Sequence, residues 1–214
     1  GDFLIWAQQR EFTVLRTREF AGDGEAEAVA GASFSGFAAG EAVEKYNDII
    51  LLVNTGIWKT LAFFLSVLNL LQKDNLKSQA IVIVPSRELA LQIEKKKKKM
   101  GTEFKVTCCY GGHLRETEEN NLKQPPALLI GTPGRLADHI RRGNITVDSI
   151  ETLVLDEFDK SLELGFQDEM SFIIGSLKNI KKRILTSATE AVAIPSFIGL
   201  TSSKRLNFLT KETK

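Results

Sequence analysis

The chain has 214 residues, 43% of them hydrophobic, which is enough to bury the core of one large domain. Its 28 Lys and Arg residues nearly balance its 27 Asp and Glu residues, for a formal net charge of +1. This balance excludes overall charge as a source of affinity for a polyanion, so any nucleic-acid binding has to come from a local patch.

The cysteines and the apolar runs bear on the setting of the protein. Cys108 and Cys109 are adjacent in a strand-like run, where successive side chains point to opposite faces, so we expect no disulfide between them. No apolar run reaches the ~18 residues of a membrane-spanning helix, and charged residues interrupt residues 1–20. We therefore expect a cytoplasmic protein that does not associate with a membrane.

Residues 1–46 differ in pattern from the rest of the chain. The stretch from Ala21 to Gly40 is rich in Ala, Gly and Glu, lacks proline and shows no steady helical or strand period. We interpret residues 1–46 as a helical segment that precedes a core domain of residues 47–214.

From residue 48 onward, short apolar runs alternate with longer helical patterns, which is typical of βαβ units. Most runs are continuously apolar, as strands buried on both faces of a parallel sheet require. They predict strands at Ile49–Val53, Ala80–Val84, Val106–Tyr110, Ala127–Ile130, Thr152–Leu155 and Arg183–Thr186, with Arg205–Leu209 as a candidate seventh. The predicted fold class is therefore α/β, a parallel central sheet with helices on both faces.

Each of the six strand candidates ends in polar or Gly/Pro-rich residues. In an open parallel sheet, ligands bind in the crevice outside the carboxyl ends of the strands. We therefore expect the functional residues to gather at one rim of the sheet.

The segment between the first strand and the first long helix has the position of a phosphate-binding loop. In such a loop, backbone N–H groups and the helix N-terminus face the phosphates, a lysine reaches the terminal phosphates and a hydroxyl contacts magnesium. Lys59 and Thr60 meet the last two requirements, after the turn at Thr55 and Gly56. Trp58 replaces the glycine expected before the lysine and crowds the space for phosphate oxygens, so an ordinary strand-to-helix turn is the alternative.

The run Lys95–Lys99 continues the helix that begins at Arg87. Consecutive helical residues are ~100° apart, so five of them sweep around the whole helix and at least one lysine has to face the sheet. We interpret the run as a solvated face, with a nucleic-acid contact as the alternative, and expect the helix to fray or lift off here.

Three successive loops of the same rim combine guanidinium groups, a hydroxyl and glycine N–H groups. The residues are Arg87, Gly112, Thr132, Gly134 and Arg135. This mixture suits a sugar-phosphate backbone, and because phosphate contacts do not read bases, we expect binding that is sequence-independent and salt-sensitive. Turn formation and helix capping are the structural alternatives.

Acids and hydroxyls follow the last two of the six strands. Asp156 suits a magnesium ion held through water, and Glu157 suits the orientation or deprotonation of an attacking water. Ser187 and Thr189 are placed to hydrogen-bond Asp159 across the rim. The alternatives are acids that cap the next helix and an ordinary polar turn.

These segments together resemble the ordered motifs of DEAD-box ATP-dependent RNA helicases, over roughly Asn47–Thr189. The motifs are Pro85–Gln92, Gly111–Gly112, Thr132–Arg135, Asp156–Asp159 and Ser187–Thr189, and Leu164–Phe166 after the acids also fits the pattern. The resemblance implies the first of two RecA-like P-loop domains. We expect the second RecA-like domain, which the family uses to complete the ATP site and the RNA clamp, to be absent from this chain, and we expect the isolated domain to be monomeric.

By this resemblance, the site residues fall into three groups. ATP would be bound by Thr55, Gly56, Lys59, Thr60, Asp156 and Asp159, with Mg²⁺ at Asp156 and Thr60 and catalysis by Glu157, Asp156 and Lys59. RNA would be held by Arg87, Gly112, Thr132, Gly134 and Arg135. Ser187 and Thr189 would couple hydrolysis to strand separation.

The chain departs from the family pattern at several positions. Trp58 and Ile57 replace small residues of the phosphate loop, Phe158 replaces an alanine between the acids, and no Pro-Thr-x-x-Gln pattern for reading adenine occurs near Gly36. A non-catalytic RNA-binding scaffold with a degenerate phosphate loop is therefore the alternative to an ATP-dependent RNA helicase. Another P-loop ATPase, such as a DNA translocase, is a third interpretation, which Thr132–Arg135 and Ser187–Thr189 disfavour.

Overall fold

A computed structural model of the chain describes residues 40–53, 57–112, 114–190 and 193–209, with the backbone alone for residues 57–62, 96, 99 and 100. The strands are β1 (Asp48–Leu52), β2 (Ala80–Ile83), β3 (Val106–Cys109), β4 (Leu128–Gly131), β5 (Thr152–Leu155), β6 (Lys182–Ser187) and β7 (Ser203–Asn207). The helices after β1 are α1 (Ile57–Leu70), α2 (Arg87–Met100), α3 (Arg115–Leu122), α4 (Pro133–Arg141), α5 (Phe158–Glu163) and α6 (Gln167–Ser176), and a 3₁₀ turn covers Ser196–Ile198.

The seven strands form one parallel sheet in the order β3-β4-β2-β5-β6-β1-β7. All six predicted strands are confirmed, each with its ends within about one residue of the predicted ones. The candidate seventh strand is confirmed as the edge strand β7, which begins at Ser203 instead of Arg205. Its residues are mostly exposed, so no apolar run marked its bounds in the sequence.

Helices cover both faces of the sheet, because alternate residues of each strand pack on opposite sides. On one face, Ile49 packs in a core with Phe64 of α1 and Ile93 of α2. On the other face, Ile50 packs in a second core with Leu136 of α4, and residues of α5 and α6 complete it. The predicted α/β fold with helices on both faces is therefore confirmed.

The same alternation separates the two cysteines. Cys108 packs in the first core and Cys109 in the second, and both thiols are free and buried. Burial raises the pKa of the Cys108 thiol to about 12 and the pKa of the Cys109 thiol further. Both side chains therefore act as neutral core residues.

The lysine-rich helix α2 corrects one expectation. It does not fray at the lysine run but continues to Met100 and ends at Gly101, whose φ of 57° lies in the left-handed region. Lys97 faces the sheet, as predicted, and its Nζ donates a hydrogen bond to the carbonyl oxygen of Val106 in β3. The long aliphatic stem lets the ammonium reach this acceptor without unwinding the helix.

The segment that precedes β1 belongs partly to the described structure. Residues 1–39 of the predicted N-terminal segment lie outside the described residues, whereas residues 40–45 are helical. Val43 of this helix is buried in the first core, and Lys182 Nζ donates hydrogen bonds to the carbonyl oxygens of Val43 and Tyr46. Among the described residues, no helix has both the length and the apolar character needed to cross a membrane.

Candidate functional site

The predicted site residues that the structure describes gather at one rim of the sheet, beyond the carboxyl ends of the strands. In strand order along the chain they are Arg87 after β2, Gly112 after β3, Thr132, Gly134 and Arg135 after β4, Asp156, Glu157 and Asp159 after β5, and Ser187 and Thr189 at the end of β6. Parallel pairing brings these loops together, since every strand ends at the same side.

Asp156 and Glu157 are linked by one buried hydroxyl group. Asp156 is 1% exposed, and its Oδ1 accepts a hydrogen bond of 2.6 Å from Thr186 Oγ1. The same Oγ1 accepts a hydrogen bond of 2.9 Å from the backbone N–H of Glu157. Thr186, on the neighbouring strand β6, therefore holds the first two acids together.

Glu157 has an unusual backbone conformation. Among the residues that the structure describes, it is the one non-glycine residue with positive φ, at φ 49° and ψ 50°. A left-handed conformation costs a non-glycine residue roughly 1–3 kcal/mol and persists where surrounding contacts determine it. Its carboxylate Oε2 lies 3.0 Å from Lys160 Nζ, three residues along α5. The turn therefore places the Glu157 side chain at the beginning of α5, next to a cation.

Asp159 connects the acid loop to the segment after β6. Its Oδ2 accepts hydrogen bonds from the Ala188 N–H at 3.1 Å and from Thr189 Oγ1 at 3.3 Å. The predicted contact of Thr189 with Asp159 is therefore confirmed. The predicted contact of Ser187 with Asp159 is wrong, because Ser187 Oγ donates to the Thr189 carbonyl at 2.9 Å and accepts from the Thr189 N–H at 3.1 Å. Ser187 shapes the turn, and the Ala188 N–H takes the place expected for it.

The predicted phosphate loop follows β1, a strand that ends at the same rim. Thr55 and Gly56 fall outside the described residues, and Lys59 and Thr60 are described as backbone in the first turn of α1. In the sheet, β1 pairs with β6, with Leu52 opposite Ser187, and β6 pairs in turn with β5. One strand thus separates the end of β1, where the loop begins, from the end of β5, where the acids lie.

Arg87 and Gly112 are in contact, although they follow different strands. Arg87 begins α2, and the capping group of this helix is Ser86, whose Oγ accepts the Leu89 N–H at 3.3 Å. The Arg87 side chain instead lies against Gly112, which has φ of 96°. A β-carbon at Gly112 would lie 2.8 Å from Arg87 Cζ. A larger residue at this position would have to displace the Arg87 guanidinium and adopt a left-handed φ.

The loop after β4 leads directly into α4. The Thr132 N–H donates to the Cys109 carbonyl at 3.1 Å, and Pro133 occupies the first turn of the helix. The Thr132 side chain makes no capping hydrogen bond, and a β-carbon at Gly134 would meet no atom within 4 Å. Backbone N–H groups at a helix N-terminus carry partial positive charge and attract anions. This loop can therefore face a phosphate group.

Arg135 is held by a buried acid that the sequence did not single out. Its Nε lies 3.4 Å from Glu118 Oε2, and the two side chains are 15% and 2% exposed. Glu118 Oε1 accepts the Tyr110 N–H at 3.1 Å, and its Oε2 lies 2.8 Å from His139 Nε2. Arg135 is therefore part of a buried ionic cluster just below the rim, formed by Glu118, Arg135 and His139.

Cys109 lies beside this cluster. Ligand atoms of Cys109, Glu118 and His139, three side chains of types that can bind a metal, lie within 4.8 Å of one another. The hydrogen bonds favour a structural role for the cluster over metal binding. Asn144 Nδ2 lies 3.1 Å from His139 Nδ1 and Glu118 Oε2 lies 2.8 Å from His139 Nε2, so both ring nitrogens have protein partners. The nearby Arg135 supplies the positive charge for the carboxylate. The cluster thus has its charge balanced without a metal ion.

Two important residues of the rim, Thr186 and Glu118, were missed in the sequence. Thr186 ends the predicted strand Arg183–Thr186, and a β-branched residue there fits a strand without any further role. Glu118 is one of three glutamates in the segment Arg115–Leu122, and the sequence gives no sign of which one is buried. A period-based search for the buried face of α3 finds only Leu122 as an apolar marker.

Comparisons with known proteins agree with this arrangement. Residues 38–194 match the family model described as DEAD/DEAH box helicase. The chain is 40% identical over 144 residues to "ATP-dependent RNA helicase CshA" of Limosilactobacillus reuteri, covering 66% of this chain and 29% of that protein. It is 37% identical over 176 residues to "ATP-dependent RNA helicase DRS1" of Saccharomyces cerevisiae, covering 78% of this chain and 23% of that protein.

A solved structure shows the same fold. The crystal structure of a DEAD box protein from the hyperthermophile Methanococcus jannaschii superposes with a TM-score of 0.69 at 26% identity. The superposition covers 83% of this chain and 52% of that chain. The chain spans less than a third of the length of the curated relatives named above, at 29% and 23%.

Proposed function

The chain belongs to the DEAD/DEAH box helicase family, and from this membership we propose that it is the ATP-binding domain of an RNA helicase that hydrolyses ATP to unwind or remodel RNA. The observation that carries the proposal is the rim itself. It joins the buried Asp156, linked through Thr186 to Glu157, with the loops of Arg87, Gly112 and Thr132. A nucleotide site and a polyanion-binding surface would therefore share one edge of one sheet.

Magnesium is implied by the family, and the donor set fits it. Mg²⁺ prefers oxygen ligands and is often bound through one or two carboxylates together with nucleotide phosphates. Asp156 offers a buried carboxylate at the rim, and Thr60 would add a hydroxyl from the first turn of α1. When bound with ATP, the ion would neutralise charge on the phosphates. Asp156 and Thr60 are thus the proposed metal residues.

The protein groups would divide the remaining tasks. Thr55, Gly56 and Lys59 would hold the phosphates, with Lys59 reaching the terminal ones. Glu157 would orient the attacking water and accept its proton, and its Oε2 lies 3.0 Å from Lys160 Nζ. Asp159 would transmit changes at the nucleotide to the segment after β6, through its hydrogen bonds with Ala188 and Thr189.

RNA would lie along the loops after β2, β3 and β4. Arg87 would contribute a cation, while Gly112, Thr132 and Gly134 would contribute N–H groups and an unhindered backbone approach. Arg135 would contact the RNA while it stays paired with Glu118, through the part of its side chain that is exposed, 15% of the whole. Such contacts position the sugar-phosphate backbone and leave the base sequence unread.

We further propose that the active enzyme includes a second RecA-like domain and works in the cytoplasm. The curated relatives are more than three times as long as the segment that this chain matches, which supports a larger protein. The domain limits of 47–214 are part of this proposal. A single domain would bind ATP and RNA but turn over ATP slowly, because the closing half of the site would be supplied by the second domain.

Isothermal titration with Mg²⁺-ATP tests the proposal. The chain is expected to bind Mg²⁺-ATP, and Lys59→Ala is expected to weaken binding by more than about tenfold, because it removes a charge-assisted contact to phosphate. Lys95→Ala is the matched control, since it removes a lysine from the exposed side of α2. Binding that is absent in the unmodified chain would support the scaffold alternative, which Trp58 beside Lys59 favours.

A further inference from the structure

Thr186 occupies a decisive place between the two acids that the proposed function assigns to magnesium and to water. It is 0% exposed in β6, and its hydroxyl donates to Asp156 Oδ1 at 2.6 Å while it accepts from the Glu157 N–H at 2.9 Å. A hydroxyl has one proton to donate, and here that proton is committed to the Asp156 carboxylate. The direction of both hydrogen bonds is therefore fixed by chemistry.

We propose that Thr186 is a positioning residue for the nucleotide site, which orients the Asp156 carboxylate and holds the backbone of Glu157 in its left-handed conformation. This inference rests on the proposed function of the two acids. With Oδ1 bound to Thr186, the carboxylate of Asp156 has one preferred orientation, so its second oxygen has a defined position for a metal-bound water. The Glu157 N–H donates to the hydroxyl oxygen of Thr186, so Glu157 keeps a fixed spacing from Asp156.

The strain at Glu157 explains why this hydroxyl matters. A non-glycine residue at φ 49° relaxes toward negative φ unless contacts on both sides prevent it. On one side, the Asp156 N–H donates to the Ile83 carbonyl at 2.9 Å, which continues the pairing of β5 with β2. The Thr186 hydroxyl adds the bond on the side of β6. Removing it takes away the hydrogen bond from the Glu157 N–H to β6.

The position of Thr186 also links the two ends of the acid segment. Thr186 is followed by Ser187, which shapes the turn that presents Ala188 and Thr189 to Asp159. The end of β6 therefore contacts Asp156 through one residue and Asp159 through the next turn. A displacement of this strand end would move both acids together, which suits a site whose nucleotide state has to reach the rest of the rim.

Three substitutions at Thr186 test the inference. Thr186→Val keeps the branched shape and removes the hydroxyl, Thr186→Ala removes the hydroxyl without an added methyl, and Thr186→Ser keeps the hydroxyl. The first measurement is hydrogen exchange of the Glu157 amide by NMR on the full chain without nucleotide. We expect exchange to be about tenfold faster in the Val and Ala variants and close to the original rate in the Ser variant. Equal rates in all four proteins would overturn the inference.

The second measurement separates this inference from the proposed function. Affinity for ATP is measured by calorimetry with and without Mg²⁺. In Thr186→Val, we expect the affinity for ATP in the presence of Mg²⁺ to fall about tenfold. The affinity for ATP without Mg²⁺ should stay unchanged, and Thr186→Ser should bind Mg²⁺-ATP as the original chain does. Normal Mg²⁺ dependence in the Val variant would overturn the metal-directing role of Thr186. Absence of ATP binding in the unmodified chain would overturn the proposed function, while amide exchange would still decide whether Thr186 holds Glu157.

Discussion

The guanidinium of Arg87 lies against the α-carbon of Gly112, so closely that a β-carbon at Gly112 would stand 2.8 Å from Arg87 Cζ. Gly112 also has a φ of 96°, which side chains rarely tolerate. The positive φ favours glycine here, and a β-carbon would in addition displace the Arg87 guanidinium. The contact fixes the position of the arginine that the proposed RNA surface uses as its cation.

Gly112→Ala is expected to weaken RNA binding by displacing Arg87. The affinity of the chain for a single-stranded RNA, measured by fluorescence anisotropy at several salt concentrations, should fall, and the slope of log affinity against log salt should drop by roughly 0.7–1, equivalent to one phosphate contact. Arg87→Ala should lower the slope by the same amount, and the double variant should lose nothing more.

Gly111→Ala is the matched control for this substitution, because a β-carbon at Gly111 meets no atom within 4 Å. It should leave both the affinity and the salt slope unchanged. Equal loss in Gly111→Ala and Gly112→Ala would contradict a specific contact between Gly112 and Arg87.

Glu118→Ala is expected to destabilise the domain strongly. It removes the carboxylate that accepts the Tyr110 N–H and faces Arg135 and His139, and it leaves their polar groups buried without that partner. Breaking a buried ion pair in this way costs roughly 3–5 kcal/mol of the free energy of unfolding. Urea denaturation at pH 7 measures the loss.

Glu116→Ala serves as the control for Glu118→Ala, since Glu116 lies on the same helix and is exposed. Its effect should stay within about 0.5 kcal/mol. Similar losses in the two variants would show that α3 responds to any loss of negative charge, and that the buried cluster has no special weight.

The sequence predicts the sheet well because strands that are buried on both faces of a parallel sheet consist of continuous apolar runs. The run Thr152–Leu155 matches β5 residue for residue, and the rim follows from the polar residues after each run. Side-chain pairing across the rim is harder to predict, because it depends on the order of strands in space. Asp156 and Thr186 are thirty positions apart in sequence and meet only because β5 and β6 are neighbours.

Ser187 shows that a local contact can replace a predicted long-range one. The sequence predicts a hydrogen bond between the Ser187 hydroxyl and Asp159, but a short turn lets this hydroxyl bind the backbone of Thr189 instead. Local side-chain to backbone bonds of this kind compete with longer-range partners. Sequence spacing alone does not show which of the two partners the hydroxyl takes.

Gly131→Ala is expected to reduce stability, whereas Gly134→Ala is not. At Gly131, the last residue of β4, a β-carbon would overlap the backbone carbonyl oxygen of Cys109 in β3 and lie 2.8 Å from Leu136 Cγ, so the neighbouring strand or α4 would have to move. Overpacking of this kind costs roughly 1–3 kcal/mol. Gly134→Ala, in α4 with open space around it, should be neutral or stabilising by up to about 1 kcal/mol. Thermal denaturation compares the two, and equal effects would contradict the close packing at Gly131.

Asp48 is expected to give the domain a component of acid sensitivity. Burial raises its pKa, but hydrogen bonds from the Thr201 N–H at 2.9 Å and the Thr201 hydroxyl at 3.1 Å, with Arg183 Nη1 at 3.3 Å, outweigh burial and lower the pKa below 3.8. The ionised form is thus favoured more in the folded than in the unfolded chain. Its stabilising contribution is present above the unfolded pKa of 3.8 and is lost as the pH falls through the lower folded pKa.

Asp48→Asn removes this titration and provides its test. The free energy of unfolding, measured in urea from pH 7 to pH 3, should be lower in the variant at pH 7 and should decline less steeply below about pH 4. Asp74→Asn, which changes an exposed aspartate, should follow the original curve. Parallel curves for the original chain and Asp48→Asn would contradict the assignment.

Asp48 begins β1, opposite Arg183 and Ser203, at the end of the strands away from the rim. Because of this distance, the variant should bind Mg²⁺-ATP at pH 7 as the original chain does.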